Sequence, residues 1–253
     1  MVKAIMHGCN GKMGQVITGL IKNDNMIEIV AGIDKYQEIQ NDYPVFDSLK
    51  ECNIEADVVI DFSNVTAMEE LLEVCEEKQL PVVLCTTGLS EEQLEKVQKA
   101  SERTAILRSA NMSLGVNLLM KLLQEAAKVL SPAGFDIEIV EKHHNLKKDA
   151  PSGTAIMIAE ALNNELDNKM TYVYDRHNVR RAREANEIGM HAIRGGTIVG
   201  EHDIIFAGHD EVITLSHSAA SKEVFAAGSI NAAVFIAGKE SGLYDMSDLL
   251  KNA

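Results

Sequence analysis

The chain has 253 residues and carries 38 acidic against 24 basic side chains, a formal charge of −14. So acidic a body argues against general nucleic-acid binding and against docking on anionic membranes. With 46% hydrophobic and 25% charged residues it is not a disordered chain. The length suits one large domain or two modest ones. Aromatics are only 4% with no Trp, so the core must rest on aliphatic side chains and 11 Met. Cys9, Cys52, Cys75 and Cys85 form no Cys-x-x-Cys pair and have no His at zinc spacing, which predicts reduced thiols, no bound metal and a cytoplasmic setting. The opening residues run straight into a strand with too short an apolar run for a signal peptide, and no stretch approaches bilayer-spanning length.

Taken in order, Val2 to His7 read as an apolar strand ending in Gly8-Cys9-Asn10-Gly11-Lys12-Met13-Gly14, and Val16, Ile17, Leu20 and Ile21 continue at helical spacing. A glycine turn between strand and helix is a variant of the dinucleotide fingerprint, since glycines let the backbone approach a pyrophosphate at a helix N-terminus. Glu28 to Ile33 read as a second strand ending in Asp34, the place of a ribose-binding acid. Lys35 and Lys12 could neutralise a 2′-phosphate, so NADH and NADPH both stay open. The alternation continues with a strand over Val58 to Phe62, a helix from Asn64 to Gln79, a strand over Pro81 to Cys85 and a capping box at Ser90-Glu-Glu-Gln93. A further strand follows at Thr104 to Leu107. Such alternation predicts a doubly wound parallel sheet with ligand at the strands' C-terminal ends. Asp61-Phe62-Ser63, Thr86-Thr87-Gly88 and Ser109-Ala110-Asn111-Met112 fall at those ends, where turn and cap chemistry is an equal explanation.

After Asn111 the pattern changes. Leu114 to Leu130 read as a long amphipathic helix, and Ile137 and Ile139 alternate with Asp136 and Glu138 as a half-buried strand. The densest chemistry follows: Glu141-Lys-His-His-Asn-Leu-Lys-Lys-Asp-Ala-Pro-Ser-Gly-Thr154, leading into a helix that begins near Thr154. Basic side chains beside a helix N-terminus favour an anionic ligand, here a carboxylate. If that segment is extended, His143, Asn145 and Lys147 share a face, so imidazole and ammonium can converge on one ligand. Lys148 reads as solvated. Beyond Thr171 the chain turns β-rich, with strands at Tyr172 to Tyr174, Ile188 to Arg194, Thr197 to Phe206 and Glu211 to Ser218. Gly195-Gly196 reads as a hairpin-like turn, and the sheet is expected to be mixed or antiparallel. Arg176, Arg180, Arg181 and Arg183 lie in a polar connection expected to be solvated or mobile. His191, His202, His209 and His217 read as packed or exposed residues. An apolar helix, Lys222 to Ala237, and a short Asp245 to Leu250 segment close the chain.

The run Glu-x-His-His-x-x-Lys-x-Asp-Ala-Pro-Ser-Gly-Thr-Ala at Glu141 to Ala155 resembles the signature of the 4-hydroxy-tetrahydrodipicolinate reductase (dihydrodipicolinate reductase) family of bacterial lysine and diaminopimelate synthesis. The resemblance covers essentially the whole chain, including the glycine turn, Asp61-Phe62-Ser63, Thr86-Thr87-Gly88, Gly115-Val-Asn117, Gly200-Glu-His202 and Lys239 to Leu243. It implies an α/β fold, with an N-terminal Rossmann-type doubly wound parallel sheet and a second α+β domain built on a mixed sheet. The dinucleotide-binding domain would comprise 1–113 plus 224–253, and a substrate-binding and oligomerisation domain 114–223. It also implies NADH and/or NADPH as cofactor, a small dicarboxylate as substrate and a homotetramer. Carried over by motif, His143 and Lys147 would be proton donors, and His144, Ser152, Gly153 and Thr154 would contact substrate. The cofactor would lie along Gly8, Cys9, Asn10, Gly11, Lys12, Met13, Asp34, Lys35, Cys85, Thr86, Thr87, Ser109, Ala110, Asn111 and Met112. Cys85 stands where many relatives have glycine, Met112 replaces a frequent Phe, Lys222 an Arg, and Asp34 a Glu seen in some members.

Residue chemistry is consistent with these roles. Hydride reduction of a conjugated ring imine needs a proton at a neighbouring carbon, and histidine titrates near neutrality. A nearby cation offsets carboxylates and charge developing on the ring nitrogen. His143 and His144 as a metal pair is the weaker explanation, because adjacent strand residues point to opposite faces and no third ligand follows. Two other functions fit the same outline: a non-catalytic NAD-binding sensor, and another small two-domain amino-acid or semialdehyde dehydrogenase.

Overall fold

The computed structural model describes residues 1–109 and 111–251. In chain order its elements are β1 (Val2–His7), α1 (Lys12–Ile21), β2 (Ile27–Ile33), β3 (Val45–Phe46), β4 (Val58–Asp61), α2 (Met68–Lys78), β5 (Val82–Leu84), α3 (Glu91–Ala100) and β6 (Ala105–Arg108). They continue with α4 (Leu114–Leu130), β7 (Asp136–His143), α5 (Gly153–Glu165), β8 (Thr171–Val173), β9 (Glu187–Arg194), β10 (Gly200–Ala207), β11 (Val212–Ala219), α6 (Glu223–Ile236), β12 (Gly242–Tyr244) and α7 (Met246–Lys251). The chain divides into two compact units, Met1–Leu114 with Glu223–Ala253, and Gly115–Lys222.

The first unit is built on a sheet of order β12-β6-β5-β4-β1-β2-β3 in which every pairing is parallel. Strands β4 and β5 are buried along their whole length, as Val/Ile/Leu runs covered on both faces must be, and β4 ends in the buried carboxylate of Asp61. Ile17 and Ile21 of α1 pack with Ala226, Ile230, Ala233 and Ile236 of α6 against one face. Met68, Leu71 and Cys75 of α2 pack with Val97 and Ala100 of α3 against the other. This is a Rossmann-type doubly wound arrangement, and its ligand edge is the row of strand C-terminal ends.

The second unit is a mixed sheet of order β11-β10-β7-β9-β8. Central β7 pairs antiparallel with β10 and parallel with β9. Its alternation is strict: Ile137, Ile139, Glu141 and His143 are buried, and the residues between them are half-buried. Ile137 and Ile139 meet Leu119, Leu123, Ile158, Ala159 and Leu162 of α4 and α5. Glu141 and His143 therefore continue a helix-covered face, beyond the point where the apolar core ends.

The structure departs from the sequence reading at several points. Gly195-Gly196 does not close a hairpin, because β9 and β10 flank β7 on opposite sides and their connection crosses over it. Gly195 N–H instead bonds the His143 carbonyl at 2.9 Å. The helix expected from Asn64 opens with a 3₁₀ turn, Val65–Ala67, capped by the Asn64 side chain. The arginine-rich connection is not merely solvated. Arg183 holds Asp136 at 2.7 Å and Glu138 at 3.0 Å, Arg176 holds Glu138 at 2.9 Å and Glu187 at 2.6 Å, and Arg181 reaches Glu187 at 2.6 Å. Burial opposes ionisation of Glu138, but His191 and the two arginines outweigh it and hold its carboxyl below the usual range.

Candidate active site

At the ligand edge of the first unit, β1 turns into α1 through a bend that only glycine permits. Gly8 has φ +80°, and a Cβ there would lie 2.7 Å from the Phe62 carbonyl oxygen. A Cβ at Gly14 would lie 2.3 Å from the Gly8 carbonyl oxygen. The N-cap of α1, Gly11, offers no side-chain acceptor, so the first N–H groups of the helix point outward for an anion. Asp34, at the end of β2, accepts N–H bonds from Asn10 and Tyr36, both at 2.9 Å, which fastens the glycine turn to the next loop. Gly8, Gly11, Asp34 and Lys35 line one pocket together with His7, Asp47, Ser63 and Glu70. A close-approach turn, an uncapped helix start and an acid at the second strand fit a nicotinamide dinucleotide.

The remaining expected cofactor residues divide by direction. The side chains of Cys9, Cys85 and Met112 are buried in an apolar cluster, and partly buried Met13 packs against it, so these positions could offer only backbone to a ligand. Burial, helped by the charge of Asp34, pushes the Cys9 thiol up to about 12. Lys12 and Thr87 are exposed. Ser109 Oγ donates to the Asn111 carbonyl at 2.8 Å, and Asn111 Oδ1 accepts from Ser113 N–H at 2.9 Å. Ala110 lies outside the described residues.

Turn chemistry understates Asp61. Fully buried at the end of β4, its carboxylate accepts from Thr86 Oγ1 and Ser63 Oγ, both at 2.6 Å, and sits 2.9 Å from His7 Nδ1. Burial opposes its ionisation, yet His7, Ser63 and Thr86 together hold its pKa below the usual range. One carboxylate thus ties the ends of β1, β4 and β5 together. Of its partners only Ser63 is a near neighbour, while Thr86 lies 25 positions away and His7 on another strand, so local spacing could not reveal the cluster.

In the second unit, α5 begins at Gly153 because Ser152 caps it, its Oγ accepting from Ala155 N–H at 3.2 Å. Gly153 and Thr154 form the helix's first turn. Ser152 also lies 3.2 Å from His202 Nε2. Glu141 is 1% exposed and gathers His143 Nδ1 (2.6 Å), both Arg194 terminal nitrogens (2.7 Å each) and Ser152 N–H (2.9 Å). His143 packs edge-on against His202, ring centroids 5.4 Å apart. Burial first, and then the charge of His143, depress His202 from the ordinary 6.5 to about 4, so it stands neutral.

The extended segment expected to align His143 and Lys147 is not extended beyond His143. Lys147 N–H closes a turn onto the His144 carbonyl at 3.1 Å, and its ammonium pairs with Asp149 at 2.9 Å. Lys147, with help from the Gly153 N–H, holds the Asp149 carboxyl below the usual range. Lys142 leaves by the opposite face of β7, pairing with Glu201 and Asp203 at 3.1 and 2.9 Å. Sequence spacing assigns no role to Glu141, Arg194 or His202; the first and last lie inside family motifs, whereas nothing local marks Arg194.

The family description "Dihydrodipicolinate reductase, N-terminus" matches residues 2–112 and "Dihydrodipicolinate reductase, C-terminus" matches residues 115–250. A 4-hydroxy-tetrahydrodipicolinate reductase of Caldanaerobacter subterraneus subsp. tengcongensis is 58% identical, with 99% of each chain covered. Another, of Clostridium tetani, is 48% identical over 100% of this chain and 98% of its own. The solved structure of a dipicolinate-bound dihydrodipicolinate reductase from Paenisporosarcina sp. TG-14 superposes with a TM-score of 0.80 at 26% identity, covering 97% of each chain. Both halves of the fold and the whole length of the sequence agree: this chain belongs to the dihydrodipicolinate reductase family.

Proposed function

We propose that the chain reduces 4-hydroxy-tetrahydrodipicolinate, via dihydrodipicolinate, to tetrahydrodipicolinate in diaminopimelate and lysine synthesis, with His143 and Lys147 as its proton donors. Bound NADH or NADPH supplies the hydride. The glycine turn Gly8 to Met13 would receive the pyrophosphate, Asp34 the ribose diol, and the loops at Thr86-Thr87 and Ser109 to Met112 the nicotinamide end. Ser152, Gly153 and Thr154, with His144, would receive a substrate carboxylate at the start of α5. Lys147 would leave Asp149 to offset that charge. The imidazolium form of His143, its Nδ1–H held by Glu141, would deliver its Nε2 proton to the ring carbon that the hydride does not reach and be left as the Nδ1–H tautomer.

The observation that carries this reading is the state of His143. Its Nδ1 is engaged by Glu141, whereas Nε2 has no protein partner among the described residues, within the family signature. That the Paenisporosarcina relative binds dipicolinate, a planar ring dicarboxylate, supports a site of the same chemistry here. The test is a coupled assay with NADH, pyruvate, aspartate semialdehyde and the upstream synthase. Loss of nicotinamide absorbance that requires the synthase is the expected result; no turnover with either cofactor would instead favour a dinucleotide sensor. Replacing Lys147 or His143 by Ala should lower turnover by at least about 100-fold while NADH affinity is kept. Pyridine-2,6-dicarboxylate should compete with substrate.

We also read the chain as a cytoplasmic homotetramer. Exposed Ile193, Val212 and Ile213 on the second sheet support self-association. Among the described residues no helix is long and apolar enough to cross a membrane. Sedimentation giving the mass of a single chain at assay concentration would overturn the tetramer.

A further inference from the structure

We propose that Glu141 is a positioning residue for His143: clamped by Arg194, it fixes the imidazole proton on Nδ1 and leaves Nε2 as the nitrogen that exchanges protons with substrate. The inference rests on His143 being the proton donor of the proposed reaction.

On β7, Glu141 and His143 are two residues apart and so share the face covered by helices. Four donor contacts converge on one buried carboxylate. Oε2 meets His143 Nδ1 at 2.6 Å and Arg194 Nη1 at 2.7 Å, and Oε1 meets Arg194 Nη2 at 2.7 Å and Ser152 N–H at 2.9 Å. A guanidinium cannot be deprotonated in a protein and a backbone N–H cannot accept, so the carboxylate must be the acceptor in the three bonds from Arg194 and Ser152. Burial disfavours the charge on Glu141, but Arg194, His143 and the Ser152 N–H together hold its pKa below the usual range. An ionised carboxylate accepts only, which obliges Nδ1 to donate.

The opposite edge of the ring is kept open. A Cβ at Gly200 would stand 3.1 Å from His143 Nε2, tight enough to press on that nitrogen, and glycine leaves the space clear. Neutral His202 walls the ring without adding charge. Arg194 is itself anchored on two backbone carbonyls, Asp149 at 2.6 Å and Ile193 at 2.8 Å, so the clamp cannot swing with the imidazole. A carboxylate that merely neutralised Arg194 would have no need to reach Nδ1 at 2.6 Å.

The test reads the tautomer directly. In protein labelled with ¹⁵N-histidine, held in alkaline buffer so that the ring is neutral, His143 should show a protonated Nδ1 and a bare Nε2. In Glu141→Gln, the amide oxygen should stay on Arg194 and Ser152 and turn the NH₂ group toward Nδ1, driving the ring proton to Nε2. Turnover should then fall by at least about 100-fold with little change in KM for NADH, as expected when general acid–base catalysis is lost. Glu141→Asp should restore the Nδ1 proton and at least about tenfold of that loss. A wild-type His143 protonated on Nε2 would overturn the proposal, as would near-normal turnover of Glu141→Gln when His143→Ala is inactive. Normal turnover of His143→Ala would overturn the reading of His143 itself, and this proposal with it. Should Glu141→Gln fail to fold, the wild-type tautomer decides alone.

Discussion

His202 is 4% exposed and depressed from 6.5 to about 4, with burial the leading cause. Between those values the unfolded chain binds a proton that the folded chain refuses, so stability must fall as pH drops through that window. The full effect is about 3 kcal/mol at the conversion of 1.36 kcal/mol per pKa unit. Glu141 and Asp61 act in the same sense but lower, because their folded-state pKa values lie below the ordinary carboxylate range. The loss between pH 6.5 and about 4.5 therefore belongs to imidazole, with a share from His217, also depressed by burial. Urea midpoints measured across that range should fall in the wild type and fall less steeply in His202→Asn; an identical slope in both would show that the burial of His202 is not what sets it. His202 was legible as part of a motif but not as a buried neutral ring, since its walls come from Ser152 and His143 on other elements. The same limit applies to Glu141: its own letter stands in the signature, but its clamp, Arg194, is 53 positions away. Local spacing marks residues that act from one segment, such as His143, and misses those that act by pairing across strands.

Elements were legible where a single segment carries its own cause. The capping box at Ser90 and Gln93 forms as read, because both partners lie within one helical turn. Helix α4 keeps its expected bounds through an apolar stripe of period 3.6. Strands β3 and β12, at the two edges of the first sheet, have two and three residues and no room for periodicity, so no sequence pattern marks them. Gly195-Gly196 signals a turn but not which strands pair, so the sequence predicts a hairpin where a crossover joins β9 to β10. Glycine within helices shows the same dependence on surroundings, and yields opposite predictions for one substitution. In α6, a Cβ at Gly228 would lie 1.7 Å from the Met112 carbonyl oxygen, backbone that cannot yield without moving the loop after β6. Gly228→Ala should cost about 3 kcal/mol through overpacking. In α1, an exposed Gly19 has nothing within 4 Å of its would-be Cβ, so Gly19→Ala should stabilise by about 0.5–1 kcal/mol through helix propensity. Thermal or urea unfolding of the two variants decides the matter, and a neutral Gly228→Ala would mean that α6 does not lie that close to Met112.

Across the whole molecule, the charge of −14 weighs most on cofactor choice, since NADPH differs from NADH by a 2′-phosphate. The pocket beside the end of β2, where that phosphate would sit, is lined by Asp34, Asp47 and Glu70 against Lys35, the one lysine or arginine among the described residues that line it. Asp34 can accept from a ribose diol but can only repel a phosphate. Local and global fields thus point the same way, and NADH should have the higher kcat/KM in dilute buffer. Repulsion between charges is screened as salt rises, with a Debye length falling from about 30 Å at 0.01 M to about 8 Å at 0.15 M. The NADH-to-NADPH ratio of kcat/KM should therefore shrink over that range, and Asp34→Asn should shrink it further at low salt. If Lys35 or Lys12 captures the phosphate instead, attraction is what salt weakens, and the ratio will move the other way. Steady-state kinetics with both cofactors at several ionic strengths separates the two cases by the sign of a single slope.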